Sequence, residues 1–169
     1  MILIAESGCT VVKSQSHLGN VGLIHFVSML FSGGSVIFMP RFDVATFFRY
    51  LETLGPTWYT GSYTFQHSIH AHAPHFKEAI RRSRLRFILT SSGRLEPHIA
   101  DDLERTFGVP MLEGYGTTET GRISDNPLPP RKRKRGTVGL PVAREVGIMD
   151  ADGYLLPSGE GGEVVVRCD

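Results

Sequence analysis

The sequence predicts an α/β fold: a mostly parallel sheet with covering helices, followed by a small β-rich C-terminal part. Three observations predict it. From Gly22 to Glu113, short β-branched or aromatic runs alternate with helical patterns. After Pro127 the pattern changes to short strand-like runs separated by turns. Loops rich in glycine and hydroxyl residues follow three of the predicted strands, at the position where open parallel sheets bind ligands.

The elements follow in order. "GLIHFVSMLFS" (Gly22 to Ser32) reads as a buried helix. A glycine turn leads into a strand at Ser35 to Met39. Asp43 caps the next helix, whose Val44, Phe47, Phe48, Leu51 and Leu54 fall at helical spacing. "PTWYT" is a second strand, with Trp58 and Tyr59 as core residues, and a helix runs from Thr64 to about His72. "LRFILT" (Leu85 to Thr90) is a third strand. Pro97 opens a helix that stops at Gly108, and "VPMLE" is a fourth strand ending at Glu113. "GTVGLP", "EVGIMD", "ADGYLLP" and "GEVVVRC" read as short strands, with Asp152-Gly153 as a hairpin signal. The chain divides into an α/β nucleotide-binding subdomain at 1–126 and a β-rich subdomain at 127–169, both partial.

Bulk properties exclude several classes. At 169 residues the chain is long enough for a proper core. A 41% hydrophobic and 21% charged composition is that of an ordinary globular protein. The formal net charge of +1 gives no global field for nucleic acid. Cys9 and Cys168 match no metal or redox spacing, which points to a reducing, cytoplasmic setting. The longest apolar run, near Val21 to Phe31, is too short and interrupted to span a membrane. "MILIA" lacks the basic lead of a signal peptide.

The stretch "EGYGTTETG" (Glu113 to Gly121) sets a ring, two threonines and a carboxylate close together, with glycines on both sides of the ring. Such a loop suits a flat ring, a phosphate and a hard cation at once. With "TGSYT" and "TSSGRL" on the same sheet edge, it would form a polar, glycine-lined cleft for a phosphorylated ligand.

"GYGTTET", "GTVGLP" and "GEVVVR", preceded in order by "PTWYT" and "LRFILTSSGRL", resemble consecutive motifs of the adenylate-forming superfamily. That family includes acyl-CoA synthetases, luciferases and the adenylation domains of peptide synthetases. The resemblance runs from about Leu18 to the C-terminus. "SDNPLPP" and "PRFD" look most like acyl-CoA synthetases acting on small organic or fatty acids. It implies part of an ATP-dependent acid–CoA ligase, in which a carboxylate attacks the α-phosphate of ATP and a thiol, of CoA or a carrier protein, then displaces AMP. It implies that Tyr115 stacks on adenine, Thr118 bonds the α-phosphate and Glu119 holds Mg²⁺, with Thr118 and Glu119 as the catalytic pair. Ser92 and Gly93 would line the nucleotide and acyl group, and Glu113, Gly114, Gly116 and Thr117 would complete the nucleotide contacts.

The chain departs from the family pattern in several places. No threonine/serine/glycine-rich phosphate loop with its lysine precedes these motifs. The ribose-binding aspartate and the small C-terminal domain with its catalytic lysine do not follow them. His17 is offset from the usual histidine, with Gly19 at the expected place, and Arg94 stands where proline is common. The expectation is an internal piece of an adenylating enzyme, inactive in isolation. The alternative is a noncatalytic nucleotide-binding or interaction module that keeps the fold.

Other patterns have plainer readings. His67, His70, His72 and His75 lack a supporting cysteine and read as a solvated helix end rather than a zinc site. "RKRKR" (Arg131 to Arg135) could address nucleic acid or, beside "GTVG", anionic groups such as CoA phosphates, but a single basic run is usually a solvated loop. Tyr63 and Phe65 begin the helix after "TGS", where packing and an acyl pocket are equally compatible with their position.

Overall fold

The computed structural model describes residues 10–14, 20–39, 41–142 and 145–167. Cys9, His17, Leu18, Gly19 and Cys168 lie outside the described residues. In chain order the elements are β1 (Thr10–Ser14), α1 (Asn20–Phe31), β2 (Ser35–Met39), α2 (Val44–Thr53), β3 (Trp58–Ser62) and α3 (Tyr63–His72). A 3₁₀ turn at Ala73–His75 leads to α4 (Lys77–Arg81), β4 (Phe87–Ser91), α5 (Pro97–Phe107), β5 (Met111–Thr117) and β6 (Gly121–Asp125). β7 (Leu140–Pro141), β8 (Val146–Met149) and β9 (Glu163–Val166) complete the set.

Seven strands form one sheet in the order β2-β1-β3-β4-β5-β6-β7. The first five pair in parallel, and β5, β6 and β7 pair antiparallel. The α/β expectation therefore holds, with β1 as a strand the sequence reading did not assign. It lies between β2 and β3 and joins the first helical unit to the rest of the sheet.

Local sequence explains the elements. Asp43 accepts a hydrogen bond from the Thr46 amide at 2.7 Å and so caps α2. Pro97 occupies the first turn of α5, whose Ile99, Leu103 and Phe107 recur every fourth residue on the buried face. All five residues of β3 and all five of β4 are buried, as central parallel strands require. Alternate strand residues feed two cores. Tyr59, Ile88 and Met111 meet Phe47, Phe48, Leu51, Ile69 and Leu103 on one face of the sheet. Trp58, Phe87, Leu89 and Leu112 meet Met29 on the other.

Four expectations change. Of "GTVGLP", only Leu140–Pro141 is strand, and residues 136–139 are turn or irregular chain, because β6 pairs with only those two of its residues. The helix read as buried is buried on one side only: Met29 and His25 face the sheet, whereas Leu23, Leu30 and Phe31 are exposed. The strand expected to end at Glu113 runs on to Thr117 and turns back into β6, so the glycine-tyrosine-glycine stretch is strand rather than loop. "ADGYLLP" is a turn instead of a strand: the Asp150 carboxylate accepts from the amides of Asp152 and Tyr154, and Leu155 makes only an isolated bridge to Met149. β8 and β9 pair antiparallel in a sheet of their own. The boundary drawn after Asn126 falls between β6 and β7, within the large sheet.

Candidate functional site

Parallel pairing fixes which loops share an edge. Gly61 pairs with Thr90, and Thr90 with Glu113, so these residues form one row across β3, β4 and β5. The chain beyond that row emerges on the carboxyl side of all three strands. The segments after it are Ser62-Tyr63, Ser91 to Leu95 and Gly114 to Thr117.

A cleft of about 490 Å³ opens there. One wall is Ser92, Gly93, Arg94 and Leu95, and another is Glu113, Gly114, Tyr115 and Gly116. The third is Gly136, Thr137 and Val138, from "GTVG". Two of the three loops expected to form the cleft do so. The third, "TGSYT", supports it from behind: a Cβ on Gly93 would run into the Tyr63 ring. Ser92 adopts a φ of 67° and Gly93 a φ of 144°, so this turn needs a residue without a side chain at Gly93.

Tyr115 stands on β5 with its side chain partly open, 38% exposed, on the cleft wall. The ladder shifts register between Tyr115 and Gly116, a local irregularity that re-aims the chain. Gly116 lies so close to the Gly121 carbonyl that a Cβ could not fit. Thr117 ends the strand, and its hydroxyl meets that of Thr120 at 3.0 Å and accepts from the Thr120 amide at 3.2 Å. Thr118 and Glu119 lie exposed in the turn, outside the cleft-lining residues. Glu119's own backbone amide, and then the Thr117 hydroxyl, hold its carboxyl below the usual carboxylate range. Burial pushes the Glu113 carboxyl up, opposed by the nearby Arg94 charge.

The donor set fits the groups the site would receive. Tyr115 offers a ring face for a base. One ionised carboxylate and neighbouring hydroxyls suit a magnesium ion that takes its other ligands from phosphates and water. Among the described residues no three carboxylate, histidine or cysteine groups gather as a self-sufficient metal site.

The remaining sequence features resolve locally. His67 meets Glu96 at 2.8 Å, His70 meets Asp102 at 3.0 Å, and the His72 ring bonds the Ser68 carbonyl at 2.8 Å. These three histidines therefore have three separate partners. A larger groove, about 760 Å³, lies between α3, α4 and α5. Its Arg81, Arg105 and His70 already face Glu78 or Asp102, while Lys77 also lines it. In the basic run, Arg133 and Arg135 reach Glu104, and Arg135 also reaches Asp101. Sequence reading met Arg94 only as a departure from the family pattern and met Asn126 and Thr137 only inside "SDNPLPP" and "GTVGLP", and it gave none of the three a site role. The role of Asn126 is not local, because its partners lie on distant turns.

Comparison with known proteins agrees with this geometry. A family model described as AMP-binding enzyme matches residues 17–169. An oxalate–CoA ligase of Arabidopsis thaliana is 36% identical over 152 residues, covering 86% of this chain and 29% of that protein. A probable CoA ligase of Humulus lupulus is 36% identical over 168 residues, covering 97% of this chain and 32% of that protein. The crystal structure of ATP-bound MatB from Rhodopseudomonas palustris superposes with a TM-score of 0.84 at 25% identity, over 96% of this chain and 32% of that one. The chain thus spans about a third of the length of the relatives it matches. No helix among the described residues is long and apolar enough to cross a membrane.

Proposed function

Since the chain belongs to the AMP-binding enzyme family, we propose that it supplies the nucleotide-binding wall of an acid–CoA ligase. In the proposed reaction a carboxylate oxygen of the acid bonds to the α-phosphorus of ATP, and the bond to the bridging oxygen breaks to release pyrophosphate. The sulfur of CoA then attacks the acyl carbon, AMP leaves and the thiol proton passes to solvent. A protein nucleophile is not needed; positioned donors and neutralised charge suffice.

The observation that carries this reading is the cleft bounded by Ser92–Leu95 and Glu113–Gly116, with the Tyr115 ring open to it. In it Tyr115 stacks on adenine, and Ser92 and Gly93 run along the nucleotide and acyl group. Glu113, Gly114 and Gly116 give the close backbone approach, and from the cleft's rim, beyond its lining residues, Thr117 adds to it and the Thr118 hydroxyl donates to the α-phosphate. Glu119, exposed in the turn beyond the cleft-lining residues, would hold Mg²⁺, which would offset phosphate charge. Cys9 and Cys168, with no pairing pattern, suit a reducing compartment such as the cytoplasm.

Calorimetric titration of the chain with AMP and Mg²⁺ tests the reading. Saturable heat is expected below about millimolar ligand, a binding free energy of roughly 4 kcal/mol or more. No heat at that concentration would count against a nucleotide site.

Arg94 supports a narrower substrate class. It adds a cation to the cleft wall beside Glu113, and one relative carries the name of a ligase for oxalate, a diacid. We infer a short acid with a second anionic group. With AMP bound, oxalate should bind more tightly than acetate, and Arg94→Leu should abolish that preference when both acids are titrated at saturating AMP. Equal affinity of the two acids for the unaltered chain would refute the narrower class alone.

A further inference from the structure

The basic run, which the reading above does not use, sits under the third wall of the cleft. Arg133 turns inward. Its Nη1 donates to the Met111 carbonyl at 2.8 Å and to Glu104 Oε1. The same Glu104 oxygen accepts from the Met111 amide at 2.8 Å. Both ends of the pair are shielded, at 21% and 12% side-chain exposure, unlike the Arg135 side chain at 61%. Met111 is the first residue of β5, the strand that presents Glu113 and Tyr115.

A second anchor lies a few residues along. Asn126 is 5% exposed. Its Nδ2 donates to the carbonyls of Thr137 at 2.5 Å and Glu113 at 3.3 Å, and its Oδ1 accepts from the Lys134 amide at 3.2 Å. The Thr137 hydroxyl closes the segment on the Lys134 carbonyl at 2.7 Å. Between these anchors and the helix that starts at Pro97, only about 60 Å³ of space remains.

Resting on the nucleotide-site reading, we propose that Glu104, Arg133 and Asn126 are positioning residues. They tie α5, β5 and residues 131–138 together, so that Gly136–Val138 stands at a fixed distance from Tyr115. The basic run acts through this tether rather than as a diffuse attractor for anions. A ligand clamped between two walls loses affinity when one wall is free to drift, because ordering that wall is then charged against binding.

AMP titration of the chain in Mg²⁺ separates the two roles. Arg133→Met should weaken AMP about tenfold, the scale on which a misplaced binding wall is felt, while Arg133→Lys stays within about threefold. Lys132→Ala removes the same formal charge from the exposed part of the run and should change affinity less than about twofold. Equal losses in Arg133→Met and Lys132→Ala, or no loss in either, would overturn the tether. If Arg133→Met fails to fold, Glu104→Gln carries the test: it is isosteric, keeps an acceptor for Met111 and loosens only the ionic hold. Amide exchange at Lys134 and Gly139, whose amides bond Asn126 and Thr137, should then quicken about tenfold, and unchanged exchange overturns the proposal. An unaltered chain that ignores AMP defeats the nucleotide reading instead, and the exchange measurement still decides whether the tether holds the wall.

Discussion

Tyr115 combines a partly exposed ring with a backbone fixed by strand pairing on β5. Such a ring can stack without first being ordered, so most of its contact energy is available to a ligand. Tyr115→Ala should weaken AMP binding about tenfold or more, since a base–aromatic stack contributes roughly 1–3 kcal/mol. Tyr115→Phe should bind as the unaltered chain does, and calorimetry distinguishes the two. Glu113, on the same strand, makes a prediction about pH. Burial raises its carboxyl above the usual range, so the folded chain holds that proton more firmly than the unfolded one. Stability from this group is present at low pH and falls as pH rises from the ordinary glutamate value through the raised one. Glu113→Gln removes the titration. As pH rises above the ordinary glutamate value, the variant should gain thermal stability relative to the unaltered chain. Parallel curves would show that the group does not titrate differently on folding. Glu119 has the opposite sign: its carboxyl is held low, so it remains ionised below the ordinary range and loses that charge only as pH falls further.

At the scale of elements, the hairpin β5–β6 decides the shape of the site. Its ladder changes register between Tyr115 and Gly116, and Gly116 lies against the Gly121 carbonyl with no room for a side chain. Gly116→Ala must push the two strands apart at the point where Tyr115 is presented. The expected outcome is weaker AMP binding with a largely preserved core, read by calorimetry alongside circular dichroism. Unaltered affinity would mean that the bulge is incidental to the cleft. Leu103 tests the other end of the same architecture. It is fully buried in the core between α5 and the sheet, so Leu103→Ala should cost about 2–5 kcal/mol by chemical denaturation.

These elements were not equally legible in the sequence. α5 could be read from Pro97, Gly108 and a periodic apolar face, because each signal is local. The central strands could be read because continuous apolar runs mark burial on both faces. The hairpin could not: glycines beside Tyr115 look like a turn, and only pairing with Arg122 to Asp125 makes them strand. Of the site, the walls containing Ser92-Gly93 and Glu113–Gly116 were legible through their loop chemistry and family resemblance. The third wall and its Asn126 and Glu104 anchors depend on contacts between distant segments, which no short-range pattern records.

For the molecule as a whole, the large sheet carries a core on each face. Among the described residues, fifteen are buried in the core that α2 to α5 share with the strands, and five in the opposite one. α1 supplies Met29 to that smaller core and turns Leu23, Val27, Leu30 and Phe31 outward at helical spacing, with Phe31 at 90% exposure. Nothing among the described residues covers this stripe. A contiguous apolar face of this kind favours association in water, because each encounter removes apolar area from solvent while no polar group loses a partner. Folding stability should depend little on it, since exposed groups gain almost nothing on folding. The variant Leu30→Lys with Phe31→Ser should therefore remain monomeric to higher concentration in sedimentation velocity, with a melting temperature within about 2 °C of the unaltered chain. If association is unchanged, the stripe is not the adhesive surface. If the melting temperature instead falls steeply, Leu30 and Phe31 are packed in solution, and the smaller core is larger than its five buried residues suggest.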